Sequence, residues 1–478
     1  MRGQNIMLSV NSIRKNKYAA GVLMFSFVVF LGLFIAYMNT IDISVTVAVV
    51  AGTILALYLT RNPLFGLALL IIFIPFSSID VLNGTIAGIP GLKMFNLLAV
   101  AVLMGFIAFK DAFRLPADQK VFLSGTIILF AAAVIRSISY MKTAHNYLYE
   151  EDFSFLSYVQ SHLIRPLLIF IPVVLIAKYI RSEVEIKKVL NYLFTATLFL
   201  SVLVIILYLF FTPNKADFQL VRTGFGKVLH LHGNNIADFY IAVFPLLLAY
   251  LLSKRNVFLI ATAVLSIATI GILYSRTAYL TVILSVLLFF LLSGRKRFIP
   301  VLVLILAAGF FMIPSTVKDR AFTGVGDNDM NYVTAGRTDD IWTPLIEESL
   351  ANPVKTVTGS GRYAIVDTEA FKTNRIIRVG HAHNIYLDTI LDTGIIGLAF
   401  FLFFFLRFIY LFLKHRRVIQ DKVLRDVLSA VAVSVIAYLV SGMTGRVFFP
   451  ALPNSFLWVV FGLGMAIINL NNKNVRKE

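Results

Sequence analysis

The chain has 478 residues, 59% of them hydrophobic and 14% charged, with a mean hydropathy of +0.84 and a formal net charge of +18. This composition excludes an ordinary soluble domain, and the lack of any cysteine excludes disulfide and thiol chemistry. A membrane-crossing helix takes about 20 apolar residues. Such stretches recur along the chain and predict an all-α, polytopic transmembrane helical bundle.

The first apolar run follows a basic N-terminus. It has no small-residue cleavage site and is followed at once by another span, so it reads as a retained first helix. In chain order, fourteen spans are expected near 18–39, 43–60, 63–76, 93–110, 119–140, 160–180, 187–212, 235–253, 256–273, 277–293, 298–314, 387–413, 427–441 and 455–470. One set of connections comprises both termini and the segments around Arg61, Lys110–Lys120, Lys178–Lys188, Lys254–Arg255, Arg295–Arg297 and Lys414–Asp426. This set holds 25 Lys and Arg against 7 Asp and Glu, so it carries the whole net charge of +18 and the rest of the chain nets zero. By the positive-inside rule this face and both termini are cytoplasmic. The basic balance is therefore a topology signal, and no basic-aromatic module points to nucleic acid.

The chain divides into a first part of the bundle at 1–314, a large external loop at 315–386 and a C-terminal part of the bundle at 387–478. In the loop, Thr338 or Asp339 is placed to cap a short helix running through Leu350, with Ile341, Trp342, Leu345 and Leu350 on one face. Pro353 ends that helix and Gly359-Ser360-Gly361 makes a turn. A loop of this length with its own helix is expected to pack as a lid over the outer mouth of the bundle.

Several arginines sit at outer helix ends, where the charge rule predicts few. They are Arg136, Arg165, Arg222 in the loop after the seventh span, Arg276 in the turn Tyr274-Ser275-Arg276, and Arg446 in the last outer loop. The planar guanidinium matches phosphate oxygens bidentately, so several around one mouth suit a diphosphate headgroup anchored in the outer leaflet. The alternative for each is snorkelling or a local carboxylate such as the Glu150-Glu151-Asp152 cluster. Gly326-Asp327-Asn328-Asp329 lacks the ligand spacing of a calcium loop, and His230-Leu231-His232 lacks a third metal ligand. No phosphate-binding or dinucleotide glycine loop and no nucleophile elbow is present, and neither a metal nor a cofactor is expected.

The segment His381-Ala382-His383-Asn384 stands where the long loop re-enters the membrane. A neutral imidazole there can take a proton from a sugar hydroxyl. The competing reading is that these polar residues only cap the following helix.

These residues resemble the O-antigen ligase/polymerase family of bacterial envelope-polysaccharide enzymes. The family signature is His-Asn, nine residues, Gly, two residues, Gly. It is matched by His383-Asn384, Ile385–Thr393, Gly394 and Gly397. Ser275-Arg276, the Gly336-Arg337 to Trp342 helix start and Arg222-x-Gly224 with Asn234-Asn235 match further motifs, so the resemblance covers about 220–413. It implies an inverting, metal-independent glycosyltransferase of the cell membrane, with a donor glycan on undecaprenyl diphosphate and a glycan or lipid acceptor. Membrane lipids and other polysaccharide-assembly proteins are the further partners implied. In that frame His383 is the base and His381 the competing base. Arg276, Arg222, Arg165 and Arg337 engage substrate, Asn384 and Tyr386 orient sugar or histidine, and Trp342 stacks on a sugar ring. Gly394 and Gly397 serve close helix packing. Polymerisation of a surface polysaccharide is the first reading, and ligation of a finished glycan to another acceptor is the second. A transporter or flippase of lipid-linked sugar is the rival from another class. It fits less well, because the charged residues cluster at the helix ends and no paired halves are visible.

Overall fold

A computed structural model describes residues 52, 54–85, 93–112, 114–144, 153–212, 214–215, 217–312, 318, 331, 334, 336–376, 379–445 and 447–475. These residues form helices and turns, with no strand among them. The expected span at 18–39, most of 43–60, Arg446 and most of 313–335 lie outside the described residues.

The helices follow the expected spans closely from 93 onward, as in Met94–Phe109, Glu183–Phe210, Gly233–Ser253, Arg276–Leu292 and Ser455–Val475. Among the described residues seven are long and apolar enough to cross a membrane. Three more, Met94–Phe109, Val257–Ile272 and Arg276–Leu292, are apolar but shorter. The expected pair at 43–60 and 63–76 is seen as Ile54–Arg61 and Pro63–Phe76, bent by 114° into one broken span or a re-entrant loop. Pro63 at the first helical position after the break accounts for the bend, since it cannot donate to the preceding turn. The chain is a multi-pass membrane protein.

Local chemistry sets the helix starts. Ser182, His232, Asn256, Ser275, Asn384 and Asp421 each stand just before a helix and accept a hydrogen bond from a backbone N–H of its first turn. Pro172 and Pro245 lie buried inside spanning helices, where neighbouring helices shield the freed carbonyls from lipid.

The helices Gly233–Ser253, Lys422–Thr444 and Ser455–Lys473 form the centre of the bundle, 72%, 78% and 89% buried over their apolar windows. Ile385–His415 is peripheral, at 33%. Ser455–Val475 packs along Arg165–Tyr179, and Gly233–Ser253 packs along Lys422–Ser441. A Cβ at Gly462 would lie 3.0–3.2 Å from Ile176 and Val173, so the missing side chain lets the first of these pairs approach. Phe122 sits within an aromatic cluster of Phe404, Phe408, Trp458 and Phe461. Gln119 and Asn469 exchange two 3.0 Å amide hydrogen bonds in the same interior, and Asn469 also donates to the Ala177 carbonyl.

The described part of the 315–386 segment has a core of its own. Ile341, Leu345, Ile365, Val366, Phe371 and Ala382 pack on Tyr140 and Ala144 from one span and on Leu387 from another. The helix expected from Thr338 runs as a π turn over Thr338–Trp342 and then as Thr343–Ala351. Its capping differs from expectation, because the N–H groups of Thr338 and Asp339 are met by the Thr334 and Asn331 side chains. Ile341 and Leu345 are buried as expected, but Leu350 is 76% exposed. Pro353 ends this helix and begins another, Pro353–Thr358.

Candidate active site

The site is organised by the turn that follows the Lys422–Ser441 helix. Gly442–Thr444 is a single 3-10 turn, and Gly445 has φ 137, a conformation open to glycine. Asn454 holds the chain beyond it. Its amide nitrogen donates to the Val447 and Phe449 carbonyls at 2.8 Å, and its oxygen accepts from Ala451 N–H and from the Trp458 indole. Tyr438 also donates to the Val447 carbonyl.

Three separate motifs meet at this turn. The Thr444 hydroxyl lies 2.6 Å from that of Thr277, the residue after Arg276. The Thr444 carbonyl accepts from Arg337 at 2.7 Å. A Cβ at Gly445 would come 3.6 Å from the His383 Nδ1. Segments more than 40 residues apart in sequence, around Arg276, Arg337 and His383, thus share one anchor.

The histidine segment is clamped from both sides through Ala382, the residue between the two rings. The Trp342 indole donates to the Ala382 carbonyl at 2.8 Å, and the buried Asp388 carboxylate accepts from the Ala382 N–H at 2.7 Å. His383 is held at φ 53, in the left-handed region that costs a non-glycine residue about 1–2 kcal/mol. Its N–H donates to His381 Nδ1 at 3.2 Å, and the two rings are 4.0 Å apart. A neutral His381 therefore carries its proton on Nε2. Asn384 caps the next helix by accepting from Tyr386 N–H and Leu387 N–H, and the Tyr386 hydroxyl donates to the Leu439 carbonyl at 2.7 Å. Asn384 and Tyr386 were expected to orient sugar or histidine. In the structure their side chains position the helix that follows the histidines. The capping reading of this segment is thus met by Asn384.

The cations separate into groups. Arg222 lies on an amphipathic helix, Phe218–Leu229, and not in a loop as expected. The helix arises because Val221, Phe225 and Leu229 recur at a helical period and are buried together with Arg222. Arg222 is 3.3 Å from His232 Nδ1. A Cβ at Gly233 would touch both the Arg222 stem and the Leu273 carbonyl, so Arg222 flanks the turn that leads to Ser275-Arg276. Arg276 opens its helix behind the Ser275 cap. Arg165 opens another and donates to the Ser77 carbonyl at 3.2 Å. Arg136 donates to the Thr358 carbonyl, which gives it a local structural partner. His230 and His232 diverge, His230 pairing with Asp80 at 3.0 Å and His232 with Arg222. Among the described residues no three His, Asp or Glu side chains converge to hold a metal ion.

A buried ion pair latches the loop to the helix that follows the histidines. Arg362 and Asp392 meet at 2.5 Å with side chains 9% and 6% exposed. The Asp392 carboxylate also accepts from Ala364 N–H, and the Arg362 guanidinium lies 4.1 Å over the Tyr363 ring. Burial opposes the Arg362 charge, but Tyr363, Asp392 and Asp388 outweigh it and raise its pKa. The Ile385–His415 helix breaks at Gly394, with φ 71 and ψ −176. A Cβ there would overlap the Val357 carbonyl, so Gly394 does serve close approach. Gly397 does not, because the nearest atoms to a Cβ at that position all belong to Thr393 of the same helix.

Sequence reasoning missed Asp388, Arg362, Asp392, Thr444 and Asn454. A signal existed for the charged ones. Two aspartates in the first ten residues of an apolar helix need partners, and Arg362 beside the glycine turn is one.

The family model described as O-Antigen ligase matches residues 261–402. The match spans Arg276, Arg337, Trp342 and the histidine segment, and it supports the O-antigen ligase/polymerase family. No curated protein matches the chain.

Proposed function

We propose, from the premise that this is an O-antigen ligase/polymerase-type membrane enzyme, that the chain transfers a glycan from an undecaprenyl-diphosphate carrier to a hydroxyl acceptor. The charge asymmetry supports a reaction on the outer face of the cell membrane, with both termini cytoplasmic and the 315–386 loop external as a lid over the mouth of the bundle. Polymerisation of a surface polysaccharide is the reaction we favour. Ligation to a lipid or wall acceptor is the second reading, and the description of the matched family favours it.

In this reading the neutral His383 ring accepts the proton of the acceptor hydroxyl as its oxygen bonds to the anomeric carbon. The bond from that carbon to the diphosphate oxygen breaks with its electron pair on the leaving group. A single displacement inverts the anomeric centre. Arg276, Arg222 and Arg165 stabilise the departing diphosphate, where a planar fork is worth more than a point charge. Arg337 holds the Thr444 turn, and Trp342 holds the histidines while its ring lines the sugar site. No metal is required, since the arginines supply the positive charge.

The observation that carries this reading is the shared anchor of three motifs on Thr444 and Gly445. The test uses purified protein with an undecaprenyl-diphosphate glycan, with and without a chelator. His383→Ala abolishes transfer while donor binding and expression persist, and His381→Ala does less. Robust product from the His383→Ala protein sinks the base assignment. Transport of the donor without any product from the wild type returns the chain to the flippase class.

A further inference from the structure

The helices Thr343–Ala351 and Pro353–Thr358 of the loop carry an aliphatic face left exposed among the described residues. Ile346 and Leu350 lie one turn apart on the first, and Val354 and Val357 one turn apart on the second. They are 47%, 76%, 75% and 45% exposed. The first helix is two-sided. Leu345 faces the loop core, and the Glu348 carboxylate accepts from the N–H groups of Glu369 and Ala370 on the side away from Ile346 and Leu350.

Two contacts fix the level of this face relative to the membrane. Arg136 reaches Thr358 at one end of the Ala117–Arg136 helix, and Asp118 pairs with Arg407 at 3.0 Å near the other. The rise from residue 118 to residue 136 is about 27 Å, close to the ~30 Å thickness of a hydrocarbon core. Thr358 therefore stands at the hydrocarbon boundary. The Val357 backbone carbonyl is packed on Gly394, and the next residues of that helix, Ile395 and Ile396, carry exposed apolar side chains. Ile135 and Ile138, beside Arg136, are exposed as well. The aliphatic face of the loop thus continues the apolar belt of the spanning helices at the boundary.

We propose that the Thr343–Thr358 helices are an interfacial element whose Ile346, Leu350, Val354 and Val357 side chains insert into the leaflet on the loop's side of the membrane. The lipid surface is the occupant because the face adjoins, through the Val357–Gly394 contact, the exposed Ile395 and Ile396 of a helix long and apolar enough to cross a membrane, at the depth where apolar helix faces settle into the headgroup–acyl boundary. Lys355, 58% exposed on the same short helix, pairs with Asp367 of the loop at 3.6 Å. The element then tethers the loop that carries Trp342 and Arg337 to the membrane surface. This inference rests on the membrane fold and is independent of the glycan-transfer reading.

The cysteine-free chain permits a direct test. Full-length protein with a single cysteine at Leu350, Val354, Ile396 or Glu369 is labelled with a bimane fluorophore. It is reconstituted in phosphatidylethanolamine–phosphatidylglycerol nanodiscs containing lipids with a nitroxide near the headgroup. Leu350→Cys and Val354→Cys labels are expected to be quenched by the nitroxide lipid at least threefold more than the Glu369→Cys label, and to resist iodide, as Ile396→Cys does. Glu369→Cys, on the polar side, is quenched by iodide. Iodide quenching of Leu350→Cys and Val354→Cys at the Glu369→Cys level would place the face in water and overturn the proposal. Resistance to both quenchers would mean that protein, such as a second copy, covers the face, and would overturn it equally.

Discussion

Breaking the Arg362–Asp392 pair should detach the Arg362 turn of the loop from the helix that follows the histidines. The pair is 2.5 Å apart and almost wholly buried, and no solvent can replace a missing partner. Removing one member of such a pair leaves an uncompensated buried charge and costs about 3–5 kcal/mol. The amides beside it report the opening locally. Ser360 N–H donates to the Leu391 carbonyl, Gly361 N–H to the Asp392 carbonyl, and Arg362 N–H to the Ala133 carbonyl. At tenfold per 1.4 kcal/mol, Arg362→Met or Asp392→Asn should speed hydrogen exchange of these amides by roughly two to four orders of magnitude, provided they open through the loop. The double variant removes both charges while the asparagine oxygen still accepts from Ala364 N–H. Its exchange should return to within about tenfold of wild type, giving a coupling of roughly 2 kcal/mol or more in the double-mutant cycle. Single variants that exchange within threefold of wild type, or a double variant that shows the sum of the two losses, would refute the latch.

Arg276→Ala should cripple transfer from a lipid-diphosphate donor, and Arg276→Lys should rescue it poorly because an ammonium cannot form the bidentate fork; near-normal transfer by Arg276→Ala would remove the phosphate role. Trp342→Phe deletes a hydrogen bond to Ala382 worth about 0.5–1.5 kcal/mol, so kcat should fall about 3–10-fold with donor KM unchanged. The opposite pattern, raised KM at constant kcat, would make Trp342 a sugar-stacking residue alone. Gly394→Ala places a Cβ against the Val357 carbonyl in a backbone conformation almost restricted to glycine, so protease sensitivity of the 353–364 segment should rise sharply; an unchanged digestion rate would contradict the close contact. Gln420→Cys should resist an impermeant thiol reagent in intact cells while Glu369→Cys reacts, and the reverse pattern would invert the topology.

How much of this was legible in the sequence follows from the range of each interaction. Spans from 93 onward were readable because hydropathy is summed over some 20 consecutive residues, and a bilayer acts on that sum whatever the neighbours are. The bend between Ile54–Arg61 and Pro63–Phe76 was not, since two short apolar runs read alike whether they cross separately or fold back. His383, Arg276, Arg337 and Trp342 were identifiable as residue types at motif spacings, but their roles depended on contacts that no local pattern encodes. Trp342 and Asp388 grip one residue, Ala382, by its carbonyl and its N–H, and they do so only because the loop core sets the Thr343–Ala351 helix against the head of the Ile385–His415 helix. Asn384 and Tyr386 were read as orienting sugar or histidine, and their bonds to nearby backbone N–H and C=O groups came only with the folded helix start. Thr444 had no sequence signal at all. A threonine in a short turn becomes the anchor of the Arg276 and Arg337 segments only when the Arg276–Leu292 and Lys422–Ser441 helices pack side by side. Length, apolarity and charge sign along this chain thus determined its class and the candidate chemistry. Which side chains meet was decided by helix packing, because hydrogen bonds of 2.6–2.8 Å act only between groups that the fold has already brought together.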